Sequence, residues 1–102
     1  MLTGLVLAET CYLVERYGGP QAEARLLRSL GSRHYQIEPL RHEDVARMAE
    51  LVEQYAGFPL GATDASVIAV AERLGLERIA TLDRRHFTVV RPAHVEAFEL
   101  VP

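Results

Sequence analysis

A chain of 102 residues with 49% apolar side chains fits one domain that builds its core without disulfide or metal staples. Its net charge of −3 excludes a molecule that gathers nucleic acid through its overall field, and no apolar run approaches the roughly 20 residues needed to cross a bilayer. Lysine is absent, all eleven basic residues being arginine, so chemistry that needs an ammonium group is excluded.

No charged-then-apolar leader precedes the first element, and Cys11 is alone, which predicts a cytoplasmic chain with a reduced thiol. Residues 4–17 (GLVLAETCYLVERY) are apolar on nearly every face and predict a buried helix, with Cys11 packed as a small hydrophobe. Gly18 and Gly19 end this helix and Pro20 begins the next, over 20–30. There Ala22, Leu26, Leu27 and Leu30 are expected inward, and Glu23, Arg25 and Arg28 outward. Tyr35–Glu38 alternates as a short strand ended by Pro39. Residues 43–56 predict an amphipathic helix with Val45, Met48, Ala49, Val52 and Tyr55 on its inner face. Glu43 and Asp44 suit its first turn, where the helix dipole favours acids, and Gly57 closes it.

Thr63 is a candidate cap for a helix running to about Leu74 and stopped by Gly75. Arg78–Asp83 reads as a strand, followed by a basic turn, Arg84-Arg85-His86. Residues 88–90 and 98–101 are further extended segments. Helices alternating with short strands predict an α/β sandwich around a largely parallel sheet. The start is unusual: Met1-Leu2-Thr3 enters the first helix with no complete strand before it, so the chain is expected to begin inside a fold.

Three acids are out of place in this pattern. Glu9 interrupts an apolar helix, with Leu5 and Val6 one turn before it and Tyr12 and Leu13 one turn after. Asp64 opens a helix, and Asp83 ends a strand. The helix from Ala62 descends about 13 residues, roughly 20 Å, and the strand 78–83 returns a similar distance. Asp83 is therefore expected beside Asp64, at the carboxyl edge of the strands where open α/β sheets bind ligands. Glu9 joins them if a parallel strand precedes its helix. Singly, each acid has an ordinary reading: a dipole-serving acid for Asp64, a turn acid for Asp83, a buried acid satisfied by arginine for Glu9. Jointly, carboxylates about 4 Å apart repel by about 4 kcal/mol at an effective dielectric of ~20, and a proton or a cation must offset this. An all-oxygen site suits Mg²⁺ or Mn²⁺, which activate water and grip phosphate. His34, His42, His86 and His94 show no zinc spacing, no glycine-rich phosphate loop occurs, and Ser66 lacks the surroundings of a serine nucleophile. Arg84, Arg85, His86 and Arg91 could steer RNA phosphates or form a solvated turn.

At three segments, Leu5–Glu9, Leu60–Ser66 and Ala80–Phe87, the chain resembles the PIN-domain family, specifically the VapC-type toxin ribonucleases. The resemblance extends over nearly all of the chain. It implies a three-layer α/β/α sandwich, Mg²⁺ or Mn²⁺, endonucleolytic cleavage of RNA, self-pairing and inhibition by a cognate antitoxin. Glu9, Asp64 and Asp83 match three acids of the family's site, and Thr81 matches a hydroxyl position near the metal. The family's first aspartate, on a central strand, and the helix after that strand have no counterpart, so residues 1–102 are expected to form a single domain lacking its opening strand and helix. Two functions follow: a ribonuclease impaired in this form, or a non-catalytic remnant that binds an antitoxin or its own copy. A phosphorelay receiver, also acid-rich and α/β, needs a lysine and is excluded.

Overall fold

Strand β1 (Leu2–Thr3) passes directly into helix α1 (Gly4–Leu30), and the buried Thr3 caps it, its hydroxyl accepting the Val6 N–H at 3.3 Å. The computed structural model describes residues 2–32, 36–57, 60–76, 78–80, 92–94 and 99–101, the segments 78–80 and 99–101 by their backbone. Two compact units result, Met1–Leu40 and Arg41–Pro102.

In the first unit, α1 joins the two expected helices across a kink. Gly19 takes φ 77° and ψ 178°, a left-handed backbone that glycine tolerates, and Pro20 follows it. The expected burial of residues 4–17 does not occur: no residue of α1 is buried. Tyr12 is 59% exposed and Tyr17 80%. A helix apolar on every side needs neighbours on every side, and the described residues of its own unit supply a single two-strand ladder. Ala22, Leu26 and Leu30 are half-buried as the pattern implied, but Leu27 is exposed. Strand β2 (Ile37–Glu38) is shorter than expected and pairs in parallel with β1, Leu2 opposite Ile37 and Thr3 opposite Glu38. The Leu2 N–H donates to the Gln36 carbonyl at 2.8 Å, extending that ladder by one bond; Tyr35 lies outside the described residues.

In the second unit, helices α2 (His42–Gln54) and α3 (Ala62–Leu74) pack together. Their core is Met48 and Leu51 from α2, Leu60 from the connection, and Ala65, Ile68, Ala69, Val70 and Ala71 from α3. The inner face of α2 is Asp44, Met48 and Leu51, not the expected Val45, Ala49 and Val52, which are exposed. That is a rotation by one residue, about 100°. Its cause is electrostatic: Asp44 meets an arginine of α3, and an acid so paired can take an inner position that hydrophobic patterning assigns to valine.

Thr63 is not the cap of α3. Gly61 holds that position with an extended backbone, and its carbonyl receives the Ala65 N–H at 3.0 Å. Thr63 and Asp64 are thereby the second and third residues of the helix. Gly75 ends α3 as expected, at φ 70°, with the N–H groups of Leu76 and Gly75 folding back on the carbonyls of Ala71 and Glu72. Strands β3 (Arg78–Ala80) and β4 (Glu99–Val101) form a parallel pair, Arg78 opposite Glu99 and Ala80 opposite Val101. The extended segment expected at 88–90, the remainder of 78–83, and Phe98 lie outside the described residues. Among the described residues no helix is long and apolar enough to cross a membrane.

Candidate functional site

Asp64 sits in the first turn of α3, where unsatisfied N–H groups and the helix dipole favour a carboxylate. It is half-buried on a helix whose inner face is closely packed. One residue further, Ala65 is fully buried. Ser66, also fully buried, donates its hydroxyl to the Thr63 carbonyl at 2.6 Å and ties the turn around Asp64 together.

Glu9 belongs to the first unit, in the early turns of α1, and it is exposed. This goes against the ordinary reading of Glu9 as a buried acid satisfied by arginine. The stripe that Glu9 interrupts is itself uncovered, with Leu5 and Val6 half-buried and Tyr12 and Leu13 exposed, so no burial cost attaches to the charge. Asp83, Thr81, Arg84, Arg85, His86 and Arg91 lie outside the described residues; β3 ends three residues before Asp83. Among the described residues, no group of three or more His, Cys, Asp and Glu gathers around a metal position.

Among the described residues of the second unit, the strongest electrostatics involve residues that hydrophobic patterning passed over. Asp44, with its side chain 2% exposed, accepts the Arg73 Nε–H at 2.9 Å and the Arg41 backbone N–H at 2.9 Å. Arg47 binds Glu72 with two hydrogen bonds, 2.7 Å and 3.0 Å, and reaches Glu50 at 3.1 Å. Asp44 and Arg47 lie one turn apart on α2, facing the reversed signs of Glu72 and Arg73 on α3. That arrangement was readable in the sequence, had charge been sought on an inner face.

Burial alone would push both carboxyls up. For Asp44 the Arg73 hydrogen bond, the Arg41 N–H and the charges of both arginines outweigh it, and its pKa is lowered. For Glu72 the Arg47 hydrogen bond, the Ala93 N–H and the charges of Arg47 and His94 do the same. Hydrogen bonding to Glu72 chiefly raises the Arg47 pKa in turn. Groups with depressed folded values stabilise the fold fully above their ordinary values of 3.8 and 4.5, and that stability is lost as pH falls through the folded values. The urea midpoint is therefore expected to fall steeply below about pH 4. A midpoint that stays level from pH 6 to pH 3 would contradict these pairings.

The PIN domain family model matches residues 1–91. Among curated relatives, the chain is similar to Ribonuclease VapC26 of Mycobacterium tuberculosis, with 33% identity over 97 residues, covering 95% of this chain and 72% of that protein. Among solved structures it is similar to Mycobacterium tuberculosis VapC20, described as a sarcin-ricin loop cleaving toxin. The TM-score is 0.75 at 20% identity, over 81% of this chain and 64% of that one. The chain thus spans less than two thirds of the solved relative, and that likeness shows the fold alone: α/β, of the PIN kind.

Proposed function

The chain belongs to the PIN-domain family, in its VapC-type branch, and on that footing we propose that it is a Mg²⁺- or Mn²⁺-dependent endoribonuclease, the toxin of a toxin–antitoxin pair. One observation carries the reading: the PIN-domain match runs through residues 1–91, a span that contains Glu9, Asp64 and Asp83. The donor set fits a hard divalent cation. It is all oxygen, Glu9 is exposed, and Asp64 is half-buried at a helix start. A bound ion would supply Lewis acidity to an attacking water and to the scissile phosphate.

The protein's own residues do the rest. Glu9, Asp64 and Asp83 would hold the ion, and Thr81 would supply a hydroxyl near it. Arg84, Arg85 and Arg91 draw RNA phosphates toward these acids, which a molecule of net charge −3 cannot do through its overall field. We place the protein in the cytoplasm, where its RNA substrate and antitoxin would be.

The exposed Tyr12, Leu13 and Tyr17 of α1 support the proposal of self-pairing. Light scattering at micromolar concentration is expected to give a mass above that of one chain; a stable, well-folded monomer would refute this. Activity is tested with a labelled single-stranded RNA in Mn²⁺ and in EDTA. Cleavage is expected in Mn²⁺ only; cleavage undiminished by EDTA would contradict the metal dependence.

A further inference from the structure

Between the end of α2 and the start of α3 the second unit has an open cleft of about 350 Å³, lined by Val52, Tyr55, Ala56, Leu60 and Gly61. Leu60 is buried and joins the cleft to the core of the unit, whereas Val52 and Ala56 are exposed along it. Tyr55, the residue that ends α2, is half-buried and brings the only polar side-chain group of the five. Gly61 caps α3, and the position a Cβ would take there has no atom within 4 Å. No side chain therefore stands on that rim of the cleft.

The same rim leads to Asp64. Gly61 and Asp64 are three residues apart at the start of α3, a rise of about 4.5 Å, which sets them on one side of the helix. The cleft thus lies one turn from the acid read above as a ligand of a phosphate-gripping cation. Its size narrows the occupant. Small-molecule sites run from roughly 300 to 1,000 Å³, so this one takes a single ring system, and a partner helix about 10 Å across does not enter it. Apolar walls with one tyrosine ask for a flat group with apolar faces, and the neighbouring acid and its cation ask for a phosphate on the same molecule. A nucleotide of single-stranded RNA meets both demands, because its base is unstacked and stacks on aromatic side chains.

We propose that the cleft beside Tyr55 is a nucleobase subsite, holding one base of single-stranded RNA while a phosphate of the same strand lies at Asp64. This rests on the ribonuclease reading of Asp64 and adds to it where the substrate is gripped. Tyr55 and Leu60 hold the base by its faces, so the subsite selects by stacking area and favours purines modestly over pyrimidines.

The test uses two small probes that cannot be cleaved as RNA is, adenosine monophosphate and ribose phosphate, titrated in Mg²⁺ into the full chain. The methyl signals of Val52, Ala56 and Leu60 are followed by NMR. Adenosine monophosphate is expected to shift all three saturably, through the ring current of its base, and ribose phosphate to leave them in place. Tyr55→Ala is expected to weaken the binding of adenosine monophosphate, and to raise KM for single-stranded RNA in Mn²⁺, by at least about fivefold each. Ala56→Leu, which fills the cleft from an exposed position without touching the core, is expected to do the same while keeping the parent's urea midpoint. If the two probes act alike, or neither moves these methyls, the cleft is left to an apolar side chain of a protein partner and the proposal fails. If adenosine monophosphate binds there but neither variant alters KM, the cleft is a mononucleotide site and the RNA subsite is refuted. Methyl shifts without any RNA cleavage by the parent would refute the ribonuclease reading instead, and the RNA subsite with it; cleavage without the shifts would refute the subsite alone.

Discussion

Arg73→Leu is expected to destabilise the second unit by about 3 kcal/mol. The substitution leaves Asp44 in place with its side chain 2% exposed and without its strongest partner. A carboxylate so buried must either remain charged against the desolvation cost or take up a proton, and both courses oppose folding. The Arg41 N–H would still donate to Asp44, which keeps the loss short of the full cost of an isolated charge. Replacing both partners, Asp44→Leu with Arg73→Leu, should recover most of the stability, because an apolar pair of similar volume avoids the desolvation. The recovery should stop about 1 kcal/mol short, since the Arg41 N–H loses its acceptor at the start of α2. Urea denaturation of the single and double variants decides the matter; a single variant within 0.5 kcal/mol of the parent (on the order of surface-substitution effects) would mean that the pair is not buried in solution.

The largest effect on activity is expected at Asp64. Asp64→Asn should slow Mn²⁺-dependent cleavage of single-stranded RNA about 100-fold or more. The amide keeps the size of the side chain and can still face the N–H groups of the first turn, so the fold should persist while the charge is lost. Equal cleavage by the parent chain and the variant would overturn this expectation. Absence of cleavage by either with any divalent ion would favour a binding module over an enzyme.

Local chemistry was the legible part of the fold. The Gly19-Pro20 break, the Gly75 stop and the 13-residue span of α3 follow from backbone preferences that act within a few residues. What depended on partners was less so. The inner face of α2 turned by one residue because Arg73, 29 positions away, accompanies Asp44 inward, and apolar periodicity carries no information about such a pair. Glu9 looked buried because its neighbours are apolar, yet nothing in a single helix says whether its apolar stripe is covered. Asp64 was located correctly, in a first helical turn, although the cap is Gly61 rather than Thr63. Glu72 escaped notice altogether, since its role lies in a contact to a backbone N–H 21 residues on, at Ala93.

The central claim is that Glu9, Asp64 and Asp83 hold one divalent cation, and a calorimetric titration of Mn²⁺ into the chain tests it most directly. The parent chain should show weak but saturable binding of one ion per chain, while Asp64→Asn and Asp83→Asn, each confirmed as folded by its urea transition, should show none. Identical traces for the parent and both variants, saturable or not, would contradict the claim.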